Sequence, residues 1–453
     1  MIAADSARPS KGSRGRTAGA ADRAQGDQRL RLLRAVVDVV ASSGYPHARI
    51  GDLASTAGVS RATFYEQFEN KEECFLAAHD ELSERLLAST AAAVAAGPRG
   101  HAARSVVRAV TEFADREPDA FSFLTYDAML AGPEGRDRRD RLIALLADQL
   151  KRADRSKQKG SVLDVPPWIV LGGVIRVLGI RMRGSQPVSE TLAADLVLWI
   201  NSYRPPAGRK RPRRRLPTAR RLDVTQRVSP GPLGPQPLPR GRHRLPGAVV
   251  QRVQHERILY ATARVIREKG YPSTTVADIV AAAGVSREVF YSHFRSRSEA
   301  FIETHQFIFE QMMAAIAGAF FASTGPWPEQ LWNSANVATK FALDMPDFTQ
   351  FAFVESYALG ATVARRTDDA ILAFTALLSR GYAERPELPP AISDAIVGAI
   401  VETVAFYVRR DRSEELIELL PTMAYLVIAP FMGVDAAEDF IAGKMREPAA
   451  DGR

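Results

Sequence analysis

The chain has 453 residues, 46% apolar and 25% charged, with a formal net charge of +8 and one cysteine. That much apolar content can fill several cores, so more than two domains are expected. A lone cysteine, Cys74, excludes a disulfide framework and a Cys-based metal site, and neither a metal nor a cofactor is expected.

The positive charge is unevenly placed. Residues 1–29 hold six Lys/Arg against three acids, and residues 204–247 hold thirteen against one, Asp223. The remainder is net acidic. Residues 1–28 read as a disordered basic tail and residues 204–247, with ten prolines, as a disordered basic linker. The run 209–215 has the composition of a phosphate-binding or minor-groove arm, although a solvated linker explains it as well. The N-terminus has no apolar core of a secretory signal. No apolar run reaches the roughly 18 residues of a membrane span. The nearest, 162–180, is broken by Asp164, Pro166, Pro167 and Arg176. A cytoplasmic, nucleoid-associated protein is expected.

Residues 29–79 and 255–305 align without a gap at an offset of 226, with 19 identities in 51 positions. The identities cluster at Gly44-Tyr45-Pro46 and Gly270-Tyr271-Pro272, and at Ala57 to Arg61 and Ala283 to Arg287. A period of that length means two whole units in tandem rather than a solenoid. In each unit a first helix comes from Leu33, Val37, Val40 and Ala41, or Leu259, Thr262, Ala263 and Ile266. It stops at Gly44 or Gly270. A short second helix turns Ile50, Leu53 and Ala54 inward, or Val276, Ile279 and Val280. Gly58 and Gly284 allow a left-handed turn, and Ser60 and Ser286 can cap a third helix. That third helix buries Phe64 and Phe68, or Phe290 and Phe294, and leaves its polar residues outward. Helix, short helix, Gly turn, helix is a helix-turn-helix, whose last helix can enter a DNA groove by its N-terminal end.

Both segments resemble the DNA-binding domain of the TetR family of bacterial transcription regulators. The matching residues are Ile50-Gly51-Asp52-Leu53-Ala54, Ala57 to Ser60, Phe64 to Phe68 and Lys71-Glu72-Glu73, with 276–280, 283–286 and 290–294 in the second copy. The resemblance implies an all-α protein: heads at 29–79 and 248–305, bodies for ligand binding and dimerisation at 80–203 and 306–440, and a tail at 441–453. It implies backbone contacts from Tyr65, Tyr291 and Lys71, and base or phosphate contacts from Arg61, Ala62, Thr63 and Gln67. Ser60, Ser286, Arg287 and His293 belong to the same surfaces. Three departures make the heads unlike. Arg49 stands where copy two has Thr275, Ala62 where copy two has Glu288, and Lys71 where copy two has Arg297.

The family's dimer helices would fall at 167–181 with 189–203, and at 390–410 with 414–429. Val170, Val174, Val177 and Leu178, and Ile396, Ile400, Val404 and Tyr407, repeat there at helical spacing. Two arrangements stay open: a covalent pseudo-dimer reading unlike half-sites, or a dimer of chains with four heads. Phe123, Tyr126, Trp168, Arg176, Phe351 and Glu355 are candidate ligand-pocket residues, since they are aromatic or charged within apolar stretches. The expected function is a repressor of operator DNA released by a small molecule. The alternative is a non-enzymatic scaffold, or a regulator with one DNA-binding head inactive. No phosphate loop, nucleophile elbow or metal-ligand spacing supports an enzyme.

Overall fold

The computed structural model describes residues 14–98, 101–155, 165–184, 188–204, 216–219 and 245–446. Most of these residues are helical, with no strand among them. The first copy runs α1 (Arg14–Ser43), α2 (Ile50–Ala57), α3 (Arg61–Gln67), α4 (Lys71–Ala96), α5 (Ala102–Arg116), α6 (Pro118–Ser122), α7 (Ala128–Leu130), α8 (Gly132–Arg155), α9 (Pro167–Arg183) and α10 (Glu190–Asn201). The second runs α11 (Gly247–Lys269), α12 (Val276–Ala283), α13 (Arg287–His293), α14 (Arg297–Ala322), α15 (Trp327–Asp344), α16 (Pro346–Phe353), α17 (Ala361–Leu372), α18 (Gly381–Glu384), α19 (Ala391–Val408), α20 (Leu416–Met432) and α21 (Val434–Lys444).

The 226-residue offset maps α2, α3 and α4 onto α12, α13 and α14 residue for residue. It also brings α9 onto α19 and α10 onto the start of α20. Two readings of α1 need correction. It begins at Arg14, inside the segment expected as a disordered tail, because Ala-rich sequence tolerates charge and still forms helix. Its buried face is Leu32, Leu33, Ala35, Val36, Val39 and Val40, while Val37 is half-buried and Ala41 exposed. Apolar residues fill nearly every position from 32 to 40, so spacing alone does not select the face. Most of the linker and the tail beyond residue 446 lie outside the described residues.

The described residues form two compact units. One holds the residues up to Leu86 together with Glu117–Leu142, and the other holds Leu87–Arg116 with everything from Ile143 on. The second unit therefore contains α9 and α10 of the first body and the whole second copy. Within it α9 packs along α19, and α10 also touches α19. Val170, Val174, Val177, Leu178 and Ile396 are buried there. The pairing is reciprocal. Gly172 backs onto Glu402, and its counterpart Gly398 backs onto Arg176, counterpart of Glu402. Trp168 lies tilted beside Tyr407, ring centres 6.4 Å apart, while Arg181 and Asp394, their counterparts, form an ion pair at 3.4 Å. Such exchange of partners is the signature of a two-fold interface. Tyr203 closes one edge by donating to the Leu426 carbonyl at 2.7 Å.

Two helices, Ala391–Val408 and Ser413–Met432, are long and apolar enough to cross a membrane by length and composition, contrary to the sequence expectation. With 72% and 67% of these stretches buried against protein, their apolar surface is accounted for by interior packing.

Candidate nucleic-acid interface

Each head is built by local signals. Gly58 and Gly284 take φ of 63° and 62°, the left-handed turn at the end of α2 and α12. Ser60 accepts from the Thr63 amide at 3.0 Å, and Ser286 from Val289 at 3.2 Å, which starts α3 and α13. Phe64, Phe68, Phe290 and Phe294 are buried and fix the third helix against the first two. Arg31 and its counterpart Arg257 donate to the Gly58 and Gly284 carbonyls, both at 3.4 Å, and brace the turn from the first helix.

The outward face is polar in both copies. Arg61, Ala62, Tyr65, Arg287, Glu288 and Tyr291 are exposed, while Thr63, Gln67 and His293 are half-buried. Tyr65 and Tyr291 are 58% and 56% exposed, unusual for an aromatic, yet each is held edge-on by the buried phenylalanine before it. The two rings are thus held in place while remaining open to solvent.

The heads differ in detail. Arg61 folds over Gly51, where a Cβ would lie 2.5 Å from its guanidinium; copy two has Ala277 at that position. α12 carries a full capping box, Thr275 with Asp278, whose carboxyl Lys269 and Thr275 hold down at about 2. α2 starts at Arg49 with no side-chain cap. Arg49→Thr should therefore pair with Asp52 and raise head stability by about 1 kcal/mol, read as a later thermal transition. No gain would mean that Arg49 already stabilises the start of α2 in another way.

Lys71 and Arg297 are placed differently from the expectation. Lys71 lies over the Tyr45 ring at 4.3 Å and donates to the Tyr45 carbonyl at 2.8 Å. Arg297 lies over Tyr271 at 4.4 Å and donates to the carbonyls of Tyr271 and Thr274. Both cations are half-buried, and burial holds the Lys71 ammonium below its ordinary pKa. They tie the fourth helix to the turn between the first two. The clamp explains why Gly-Tyr-Pro is repeated in both copies, a role the sequence reading missed. A second missed pair is Arg29 over Phe68 at 4.4 Å and His255 stacked on Phe294 at 5.1 Å.

A family profile described as bacterial regulatory proteins, tetR family, matches residues 32–78 and 258–304. The TetR-family DNA-binding domain is present twice, once in each head. The chain is similar to the HTH-type transcriptional regulator CymR of Pseudomonas putida, 32% identical over 88 residues. That stretch is 19% of this chain and 43% of the relative, so the chain spans under half the length of the curated protein it matches. Among solved structures it is similar to the fatty acid degradation regulator FadR from Bacillus halodurans, at 21% identity, TM-score 0.36, covering 39% of this chain and 94% of that one. It is also similar to the transcriptional regulator FadR from Bacillus subtilis in complex with stearoyl-CoA, at 15% identity, TM-score 0.33, covering 38% and 96%.

The six candidate ligand residues do not converge. Phe123 stacks on Phe75 at 4.1 Å, and Phe351 packs on Phe301 at 4.3 Å. Phe75 and Phe301 are counterparts on the fourth helices, so Phe123 and Phe351 fill the joints between head and body. Tyr126 is half-buried in the π turn that carries Phe123. Trp168 and Arg176 lie on α9 at the pairing of the two bodies. Glu355 is half-buried at the start of a 3-10 turn, 355–359. None of the six lines the cavity of the second body.

That cavity, of about 160 Å³, is lined by Met312, Leu331, Phe341, Phe353, Val401 and Met423 among others. Ile400 and Val404, expected at the dimer face, also line it. Its hydroxyls are already committed: Ser334 donates to Ile316, Thr339 to Ala335 and Thr349 to Met345. Such a space suits a small apolar molecule, since a dry cavity of this size accepts benzene. Body one instead shows an open polar groove lined by Arg104, Arg108, Glu112 and Asp115 of α5 and Arg204.

Cys74 is buried, and burial pushes its thiol up to about 12, so it packs rather than reacts.

Proposed function

We propose that the chain is a DNA-binding transcription regulator, a repressor released by a small apolar ligand, in which the two copies act as a covalent pseudo-dimer on two unlike half-sites. The pairing of α9 with α19 inside one chain carries this reading. The linker raises the local concentration of the partner to roughly millimolar. The unlike residues at Arg49/Thr275, Ala62/Glu288 and Gln67/His293 give the two heads different base preferences. Ser60, Arg61, Thr63, Tyr65, Ser286, Arg287, Tyr291 and Arg297 supply contacts to backbone or bases, the last from within its tyrosine clamp. The ligand site in this reading is the cavity of the second body. A reader of chromosomal DNA works in the cytoplasm.

The test is selection from random DNA with the purified chain, followed by the mass of the complex on the selected site. One chain on two unlike half-sites supports the proposal. Two chains on a palindrome, or no enrichment, would sink it. Tyr65→Phe and Tyr291→Phe each remove one hydroxyl with no packing change. Each should weaken binding on any sequence by about threefold to tenfold. An unchanged affinity for Tyr291→Phe alone would favour the scaffold reading, with an inactive second head. Lys71→Ala is a poor substitute, because it also opens the Tyr45 clamp.

A further inference from the structure

Arg176 and Glu402 are separated by 226 residues, so they are the same position in the two copies. Their guanidinium and carboxylate meet at 3.2 Å, with side chains only 9% and 7% exposed. A residue that meets its own counterpart lies on the two-fold axis of a paired interface. In a pairing of identical copies that position would face itself. Two first copies would bury arginine against arginine, and two second copies glutamate against glutamate. Gly173 and Ala399 are also counterparts, one turn away. A Cβ on Gly173 would fall 2.9 Å from that of Ala399. Two second copies would then set alanine against alanine at a separation only glycine permits.

The surroundings complete the charge pattern. Arg176 also donates to the Tyr357 hydroxyl, which donates to Asp368 at 3.2 Å. Asp368 is held by Arg183 at 2.8 Å. The network has two cations from the first copy, Arg176 and Arg183, and two anions from the second, Glu402 and Asp368. The counterparts of Tyr357 and Asp368 in the first copy are Ala131 and Leu142, which cannot supply these contacts. Apolar residues would give a buried interface comparable stability; an ion pair on the axis adds discrimination.

We infer that Arg176 and Glu402 form a pairing lock, through which the first body accepts the second and refuses a second copy of itself. This rests on the pseudo-dimer reading only for where the partner comes from. The lock selects unlike bodies whether they lie in one chain or are exchanged between two.

The test uses the full chain with a protease site inserted at 230–239 of the linker. It is folded intact, then cut, mixed with a heavy-isotope copy, and weighed by native mass spectrometry. The wild type should give only particles of one first and one second half, with like-with-like particles below about one part in a hundred. Arg176→Met/Glu402→Met should remain helical by circular dichroism and add particles of two first halves, while Ala399 still keeps second halves apart. Should that pair fail to fold, Arg176→Gln/Glu402→Gln, which keeps hydrogen bonding across the axis, carries the same expectation. Like-with-like particles from the wild type, or strict unlike pairing in a folded neutral variant, would overturn the lock. A two-chain mass for the uncut protein would overturn the in-chain pseudo-dimer while leaving the lock intact.

Discussion

Gly173→Leu is expected to lower the stability of the full chain by about 3 kcal/mol, read as a fall in the urea midpoint of unfolding. A Cβ at Gly173 would lie 2.7 Å from the Ala395 carbonyl oxygen, 2.7 Å from the Trp199 ring and 2.9 Å from the Ala399 Cβ. None of these is the tip of a flexible side chain. Trp199 is buried, its indole N–H donating to Tyr203 at 2.6 Å. Relief therefore requires α9 to withdraw from α19, which opens the pairing of the bodies. Loss of glycine from a helix by itself would stabilise, by up to about 1 kcal/mol. Gly318→Ala isolates that effect, since Gly318 lies within α14 with nothing within 4 Å of its Cβ position. It should stabilise. If both variants shift the midpoint equally, the close approach of α9 to α19 is not what Gly173 serves.

Acid should unfold this chain early, between about pH 6.5 and pH 4. His79 and His305 are counterparts, and both are buried. His79 Nε2 meets the Leu124 carbonyl at 3.2 Å, and His305 Nε2 meets the Thr367 hydroxyl at 2.8 Å. Burial pushes each imidazole down to about 4 from the ordinary 6.5. The unfolded chain therefore takes up protons first as pH falls. Stability is full above about 6.5 and is lost as pH drops toward 4, by roughly 3 kcal/mol for each histidine. His79 lies in the first unit and His305 in the second, so each unit loses one such contribution, a large share of a typical domain's margin of about 5–15 kcal/mol. Urea midpoints across this range should fall steeply for the wild type. They should fall less for His79→Gln/His305→Gln, whose amides have no such titration. Parallel curves would show that carboxylates, not these histidines, govern acid unfolding. Because His79 sits beside Phe75, which stacks on Phe123, loosening should begin at a joint between head and body.

The heads were legible because their instructions are local. A glycine with positive φ, a serine cap three residues before its amide, and two phenylalanines four apart each act within one or two turns. Their repetition at one offset removed the ambiguity of a single match. The phase of α1 was not legible, because apolar residues cover more than one face and only packing selects. The charge of Lys71 is visible in the sequence, while the Tyr45 ring beneath it, 26 residues away, is not. Phe123, Phe351 and Arg176 looked like pocket residues for the same reason: an aromatic or a charge in an apolar stretch does not state its partner. The tertiary structure supplied those partners: the fourth-helix phenylalanines for Phe123 and Phe351, and Glu402 for Arg176. The sequence alone determined the two heads, their order and their unlike surfaces, since these follow from local backbone geometry. Which face meets which, where the cavity lies, and that arginine meets glutamate on the axis were decided by contacts between residues far apart in the chain.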